Sequence, residues 1–217
     1  MLNFALKSKD LKKKVDLCTE YLELNPHDIY VWEFKGKLLS LLGREKDSGA
    51  CAGKAYEEAC FELGDDLGLF YGMGRMHSGD NDAAAVGAFQ KLLKREPSYI
   101  PALLREGDAL IGLEKYAEAL QCFDSVFELR PARLPESIAW NGRGMALAGM
   151  GKNEEAIKCC DRSLSIDLGS PKTWDLRARC LYTLGKYEEA MLSCDKALEI
   201  DANDDLARKI KKVASEA

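Results

Sequence analysis

A period of 34 residues constrains this chain more than any other feature. Trp140 and Trp174, Gly144 and Ala178, Leu147 and Leu181, Gly151 and Gly185, Ala156 and Ala190, Cys160 and Cys194, and Asp161 and Asp195 are each 34 residues apart. A fixed period of this size marks stacked copies of one supersecondary unit. With Trp140 placed at position 4 of the unit, copies begin at Ser137 and Pro171, and earlier ones at Ile100, Asp66 and Ile29. Position 8 holds Gly36, Met73, Gly107, Gly144 and Ala178, and position 20 holds Ser48, Ala85, Ala119, Ala156 and Ala190. Position 24 holds Ala52, Phe89, Phe123, Cys160 and Cys194.

Positions 4, 8 and 11 share one face of a helix, and positions 17, 20, 24 and 27 share a face of a second. Gly43, Gly151 and Gly185 mark the turn between them, where a helix end favours a left-handed residue. Small residues at positions 8 and 20 let the two helices approach closely, and Pro97 and Pro131 stop the second helix in two units. One such hairpin cannot bury both of its faces, so the units must stack.

The phrases WNGRGMALAGMGKNEEAIKCCDRSLSID and WDLRARCLYTLGKYEEAMLSCDKALEID resemble tetratricopeptide repeats, as does EGDALIGLEKYAEALQCFDSVFELRP. The resemblance implies an all-α fold, a right-handed α-solenoid of antiparallel helix pairs. The expected organisation is a single array over 1–217. It comprises a partial repeat at 1–28, full repeats at 29–65, 66–99, 100–136, 137–170 and 171–204, and a capping helix at 205–217. Two steps between units are 37 residues long. The first insertion is expected to lengthen a second helix around AYEEACFELGDD, and the next to lie in an inter-unit turn at RPARLPES. Lys14 stands at position 20 of the partial unit, which fits a missing packing partner. Arg208 and Lys212 stand where internal units carry Trp and Gly, and charge is tolerable there because no second helix follows.

Composition narrows the function. Hydrophobic residues make up 47% and charged residues 31%, so the chain is not expected to be disordered. No apolar run approaches the roughly 20 residues of a membrane helix, and the N-terminus lacks a secretory pattern, so no membrane association and a cytoplasmic location are expected. A net charge of −5 argues against nucleic acid. The two histidines, His27 and His77, are 50 residues apart and no C-x-x-C occurs, so no metal and no cofactor are expected. The eight cysteines read as reduced, buried, apolar-like thiols. Glu57-Glu58, Glu154-Glu155 and Glu188-Glu189 fall early in second helices, where acid complements the helix dipole, and no catalytic constellation emerges. The chain is not expected to be an enzyme.

The expected function is therefore a non-enzymatic scaffold for protein–protein interaction. In the family that the phrases resemble, the first helices line a concave groove that holds a peptide or helical segment. Carried over position by position, the lining comprises Tyr30, Glu33 and Lys37; Leu67 and Phe70; Leu104 and Asp108; Ile138, Asn141 and Met145; and Lys172, Asp175 and Arg179. This gives an apolar centre with charged flanks. Asn141 is placed to hydrogen-bond a bound backbone. The clamp that some members use on chaperone C-terminal tails is not matched: across the units from Ile29, Asp66 and Ile100 only Arg105 fits. Alternatives are a groove used for homo-oligomerisation, an accessory subunit of an enzyme complex, and an RNA-binding helical repeat. A groove covered by a neighbouring helix is a further possibility.

Overall fold

The computed structural model describes residues 10–63 and 82–215. Among these, eleven α-helices and no strands are present. They are α1 (Leu11–Leu24), α2 (Ile29–Leu41), α3 (Glu45–Leu63), α4 (Asp82–Leu93), α5 (Ile100–Gly112), α6 (Tyr116–Glu128), α7 (Arg133–Gly149), α8 (Asn153–Ile166), α9 (Pro171–Thr183), α10 (Tyr187–Ile200) and α11 (Asp205–Ser215). From α1 to α3 and from α4 to α11 consecutive helices pack on one another, and α5 with α7, α7 with α9 and α9 with α11 also touch, which is the contact pattern of a stack. The chain is an all-α solenoid. The first helix expected after residue 66 lies outside the described residues.

The turns repeat down to individual bonds. The amide of Arg44 donates to Leu39, Lys115 to Leu110, Lys152 to Leu147 and Lys186 to Leu181, at 2.8–3.0 Å. Each closes the preceding helix in a Schellman arrangement that needs a left-handed residue just before the donor. Gly43, Gly151 and Gly185 supply it at φ 70°, 77° and 74°, whereas Glu114 is forced to φ 59° at the equivalent place. Helix starts are marked by Asp10, which accepts from the amides of Lys12 and Lys13, and by Asp28, which accepts from that of Val31.

Packing explains the small positions. Ala85, Ala119, Ala156 and Ala190 are fully buried, as are Phe89, Phe123, Cys160 and Cys194. The Phe123 ring lies between Gly107 of its own hairpin and Gly142 of the next, where a Cβ would come within 2.6 Å and 2.3 Å of Cζ respectively. α3 departs from the pattern: Cys51 and Ala55 are buried while Ala52 faces out.

Two further ladders link the hairpins. Asp124 pairs with Arg143, Asp161 with Arg177 at 2.9 Å and Asp195 with Lys211. Each rung joins a second helix to the first helix of the following hairpin, or to α11. The indole N–H of Trp32 donates to the Pro26 carbonyl at 2.6 Å and that of Trp174 to Leu168 at 3.0 Å. The Arg208 guanidinium donates to the Ala202 carbonyl at the same sequence spacing. Arg208 therefore takes over the indole's bond to the inter-hairpin turn, beyond being a charge that the end of the array tolerates.

The second insertion is not a turn. Residues Arg133 to Glu136 form the first turn of α7, which runs to 17 residues. Pro135 is accommodated because the first four amides of a helix have no acceptor within it, and Leu134 is 2% exposed, anchored in the core. The first insertion accompanies a 19-residue α3.

The seven cysteines whose side chains are described are buried free thiols. Burial pushes the Cys18 and Cys122 thiols up to about 12 and Cys194 to about 11, which leaves them protonated and unreactive.

Candidate functional site

The first helices of successive hairpins, α5, α7 and α9, turn their solvent-side residues toward a common inner face. Opposite them stands α2. The helices enclose a cavity of about 490 Å³. Its wall on α2 includes Tyr30, Glu33, Phe34, Lys37 and Leu41, and its wall on α5 includes Arg105 and Asp108. Ile138, Asn141 and Met145 come from α7, and Lys172 and Thr173 from α9. Eight of the thirteen expected lining residues thus meet at one place: Tyr30, Glu33, Lys37, Asp108, Ile138, Asn141, Met145 and Lys172.

Three others do not. Leu104 is 1% exposed, in the core with Phe89 and Leu110. Asp175 is buried against Asp204, the N-terminal cap of α11, and its Oδ1 has no hydrogen-bond partner. Burial first, then the Asp204 and Asp201 carboxylates, push the Asp175 carboxyl up to about 7. Arg179 is exposed and away from the cavity wall. Leu67 and Phe70 lie outside the described residues, as does His77.

Charge dominates one end of the cavity. Arg105, 7% exposed, reaches across to the Glu33 carboxylate and also pairs with Asp108 at 2.9 Å. Lys37 projects beside Arg105 with its side chain open to the cavity. The Arg105 charge, followed by enclosure, lowers Lys37 to about 8; Asp108 and Glu33 oppose the shift and Lys172 adds to it. At the other end Asn141 Nδ2 donates to Thr173 Oγ1 at 2.9 Å, and Thr173 donates to Ser170 Oγ at 2.9 Å. One N–H of the Asn141 amide is thereby committed within the protein, which leaves its second N–H and its carbonyl oxygen to offer to a ligand. Between the ends the lining is apolar, through Phe34, Leu41, Leu134, Ile138 and Met145.

A second contact closes the array. Lys14 on α1 is 0% exposed and donates to Asp167 Oδ1 at 2.7 Å, across 153 residues of sequence. Its ammonium also lies 5.3 Å from the centre of the Phe34 ring. Leu11, Val15, Val31 and Leu38 of α1 and α2 share one core cluster with Leu134, Ile166 and Ile200. Lys14 is thus a buried ion-pair partner, beyond merely filling the place of a missing contact. Sequence reasoning missed both Lys14 and Asp167 as site residues. The signal was a lysine at a position where every other unit has Ser or Ala.

Among the described residues no three His, Cys, Asp or Glu side chains are grouped to hold a metal. His27 Nδ1 meets Glu58 at 2.6 Å. No described helix is long and apolar enough to cross a membrane.

Helix pairs stacked around an inner cavity define an α-solenoid of the repeat-scaffold type. Residues 135–202 and 100–133 each match family models described as tetratricopeptide repeat. Over these residues the chain carries tetratricopeptide repeats. Solved structures agree at the level of fold. TTC0263, a thermophilic TPR protein of Thermus thermophilus, is 20% identical, with a TM-score of 0.63 over 86% of this chain and 98% of that one. YrrB, described as a TPR protein with an unusual peptide-binding site, is 23% identical, with a TM-score of 0.57 over 90% and 97%. MamA from Desulfovibrio magneticus RS-1 is 20% identical, with a TM-score of 0.56 over 82% and 98%. No curated protein matches the chain in sequence.

Proposed function

We propose that this protein is a non-enzymatic scaffold that captures a segment of a protein partner on its inner face, at the cavity between α2 and α5, α7 and α9. The observation that carries this reading is convergence. Side chains from four helices far apart in sequence meet around about 490 Å³ of space that combines an apolar centre with charged and amide groups. That combination suits recognition of a polypeptide segment, which offers apolar side chains and backbone polar groups together. A peptide site in the YrrB structure lends the same fold a precedent.

The test replaces Met145 with a photo-crosslinking amino acid and compares it with the same group at Leu192, which is 64% exposed on α10. The 145 probe should capture a partner polypeptide, and the I138D/M145D variant of the unlabelled chain should fail to compete for that partner while retaining its helicity. Equal capture from both positions, or a captured species that is a second copy of this chain, would remove the proposal.

A further inference from the structure

The inner face is already partly filled, and what fills it is the chain itself. α1 and α2 lean on the concave side of α5–α10 through two buried ion pairs, Lys14 with Asp167 and Glu33 with Arg105, with Val31, Leu38 and Phe34 beside them. Resting on the reading above, we propose that α1–α2 is a built-in occupant of the inner face, and that the natural partner is an acidic amphipathic helical segment that takes its place. Such a segment offers an ammonium to Asp167, a carboxylate to Arg105, and apolar side chains between them.

Three features support an exchangeable occupant over a permanent wall. First, both receiving groups keep a partner when α1–α2 leaves. Arg105 retains Asp108 at 2.9 Å, and Asp167 Oδ1 retains the Gly169 amide at 3.0 Å. Removing one member of a buried pair is severe when the other is orphaned, and here neither receiving group is. Secondly, Asp167 is an ordinary part of the repeat. Asp201 stands 34 residues on, at the same C-terminal cap with matching backbone angles, and binds the Asn203 amide. The specificity of the contact therefore resides in Lys14, on the occupant. Thirdly, the occupant is imperfect. It faces Lys37 into the cavity that Arg105 and Lys172 also line, three cations around one space, and the Arg105 charge is the main cause of the lowered Lys37. A segment with a carboxylate in the place of Lys37 turns that repulsion into attraction.

The experiment uses the full chain and a fluorescent synthetic peptide of residues 10–42 carrying K37E. Anisotropy should report binding, at least tenfold tighter than the same peptide with Lys37. Weakening the occupant in the chain by K14M should strengthen peptide binding at least tenfold further. On the D167K chain, whose own Lys14 then meets a lysine, a peptide carrying both K14E and K37E should bind at least tenfold tighter than one carrying K37E alone. Helicity of each variant is checked by circular dichroism. Equal affinity of these two peptides for the D167K chain, or K14M that leaves peptide affinity unchanged, overturns the displacement. If in that case the probe at 145 still captures its partner, only the displacement falls. If the probe captures nothing, the reading of the inner face falls as well.

Discussion

The stacking geometry makes two chemically identical substitutions differ in sign. Gly53 lies within α3, exposed, and a Cβ there meets nothing within 4 Å. Replacing a helix-interior glycine with alanine stabilises by about 1 kcal/mol through backbone entropy, so G53A should raise stability by that amount. Gly142 lies within α7, and its Cβ would stand 2.3 Å from Phe123 Cζ and 2.5 Å from Cε1. Ordinary contact begins near 3.4 Å, so the ring would have to retreat by about 1 Å. It has nowhere to go, because Phe123 is fully buried and Gly107 closes its other side. Overpacking of this kind costs about 1–3 kcal/mol. The helix-propensity gain of about 1 kcal/mol offsets part of it, and G142A should lower stability by about 1–2 kcal/mol. Urea unfolding followed by far-ultraviolet circular dichroism measures both variants. F123L should be less damaging in the G142A background than alone, a coupling that a double-mutant cycle reads directly. If G142A stabilises as G53A does, the neighbouring hairpins do not interlock through this ring and the packing argument is wrong.

Other consequences follow from single residues. Glu114 holds the left-handed angle that glycine holds at the equivalent turns, so E114G should stabilise by about 0.5–1 kcal/mol, seen as a melting temperature raised by a few degrees. The Asp175 carboxyl is raised from its ordinary range near 4 to about 7, so the folded state binds the extra proton. Its contribution to stability is present below pH 4, declines as pH rises, and is lost above about pH 7. The melting temperature should therefore fall between pH 5 and pH 8 by several degrees in the wild type and by clearly less in D175N. An unchanged difference between the two would place the ionisation elsewhere.

Much of this structure is readable in the sequence because the repeat is local. Position 8, position 20 and the turn glycine encode a hairpin whose contacts fall within one unit or its neighbour, and Trp174, Ala156 and Gly151 stand where the period puts them. The inner-face residues Tyr30, Lys37, Asn141 and Lys172 are legible for the same reason, since a fixed place in the unit fixes a direction in the stack. Three things are not local. The pairing of Lys14 with Asp167 spans 153 residues and depends on how tightly the array curls, which no single unit specifies. The helical extension at Arg133 depends on a buried site for Leu134, supplied in part by distant α1 and α2. Burial of Asp175 depends on α11, where Asp204 caps the helix through the amides of Leu206 and Ala207. In each case a residue of ordinary type acquires its role from a neighbour that the period does not supply.

The closure of the array upon itself is tested most directly by a thermodynamic cycle on Lys14 and Asp167. Urea unfolding of the wild type, K14E, D167K and the double exchange gives the coupling between the two side chains. A fully enclosed ion pair at 2.7 Å predicts a coupling of at least about 2 kcal/mol, with the double exchange more stable than the sum of the single changes allows. Additive effects would mean that α1 does not sit against the turn after α8, and that the inner face is open.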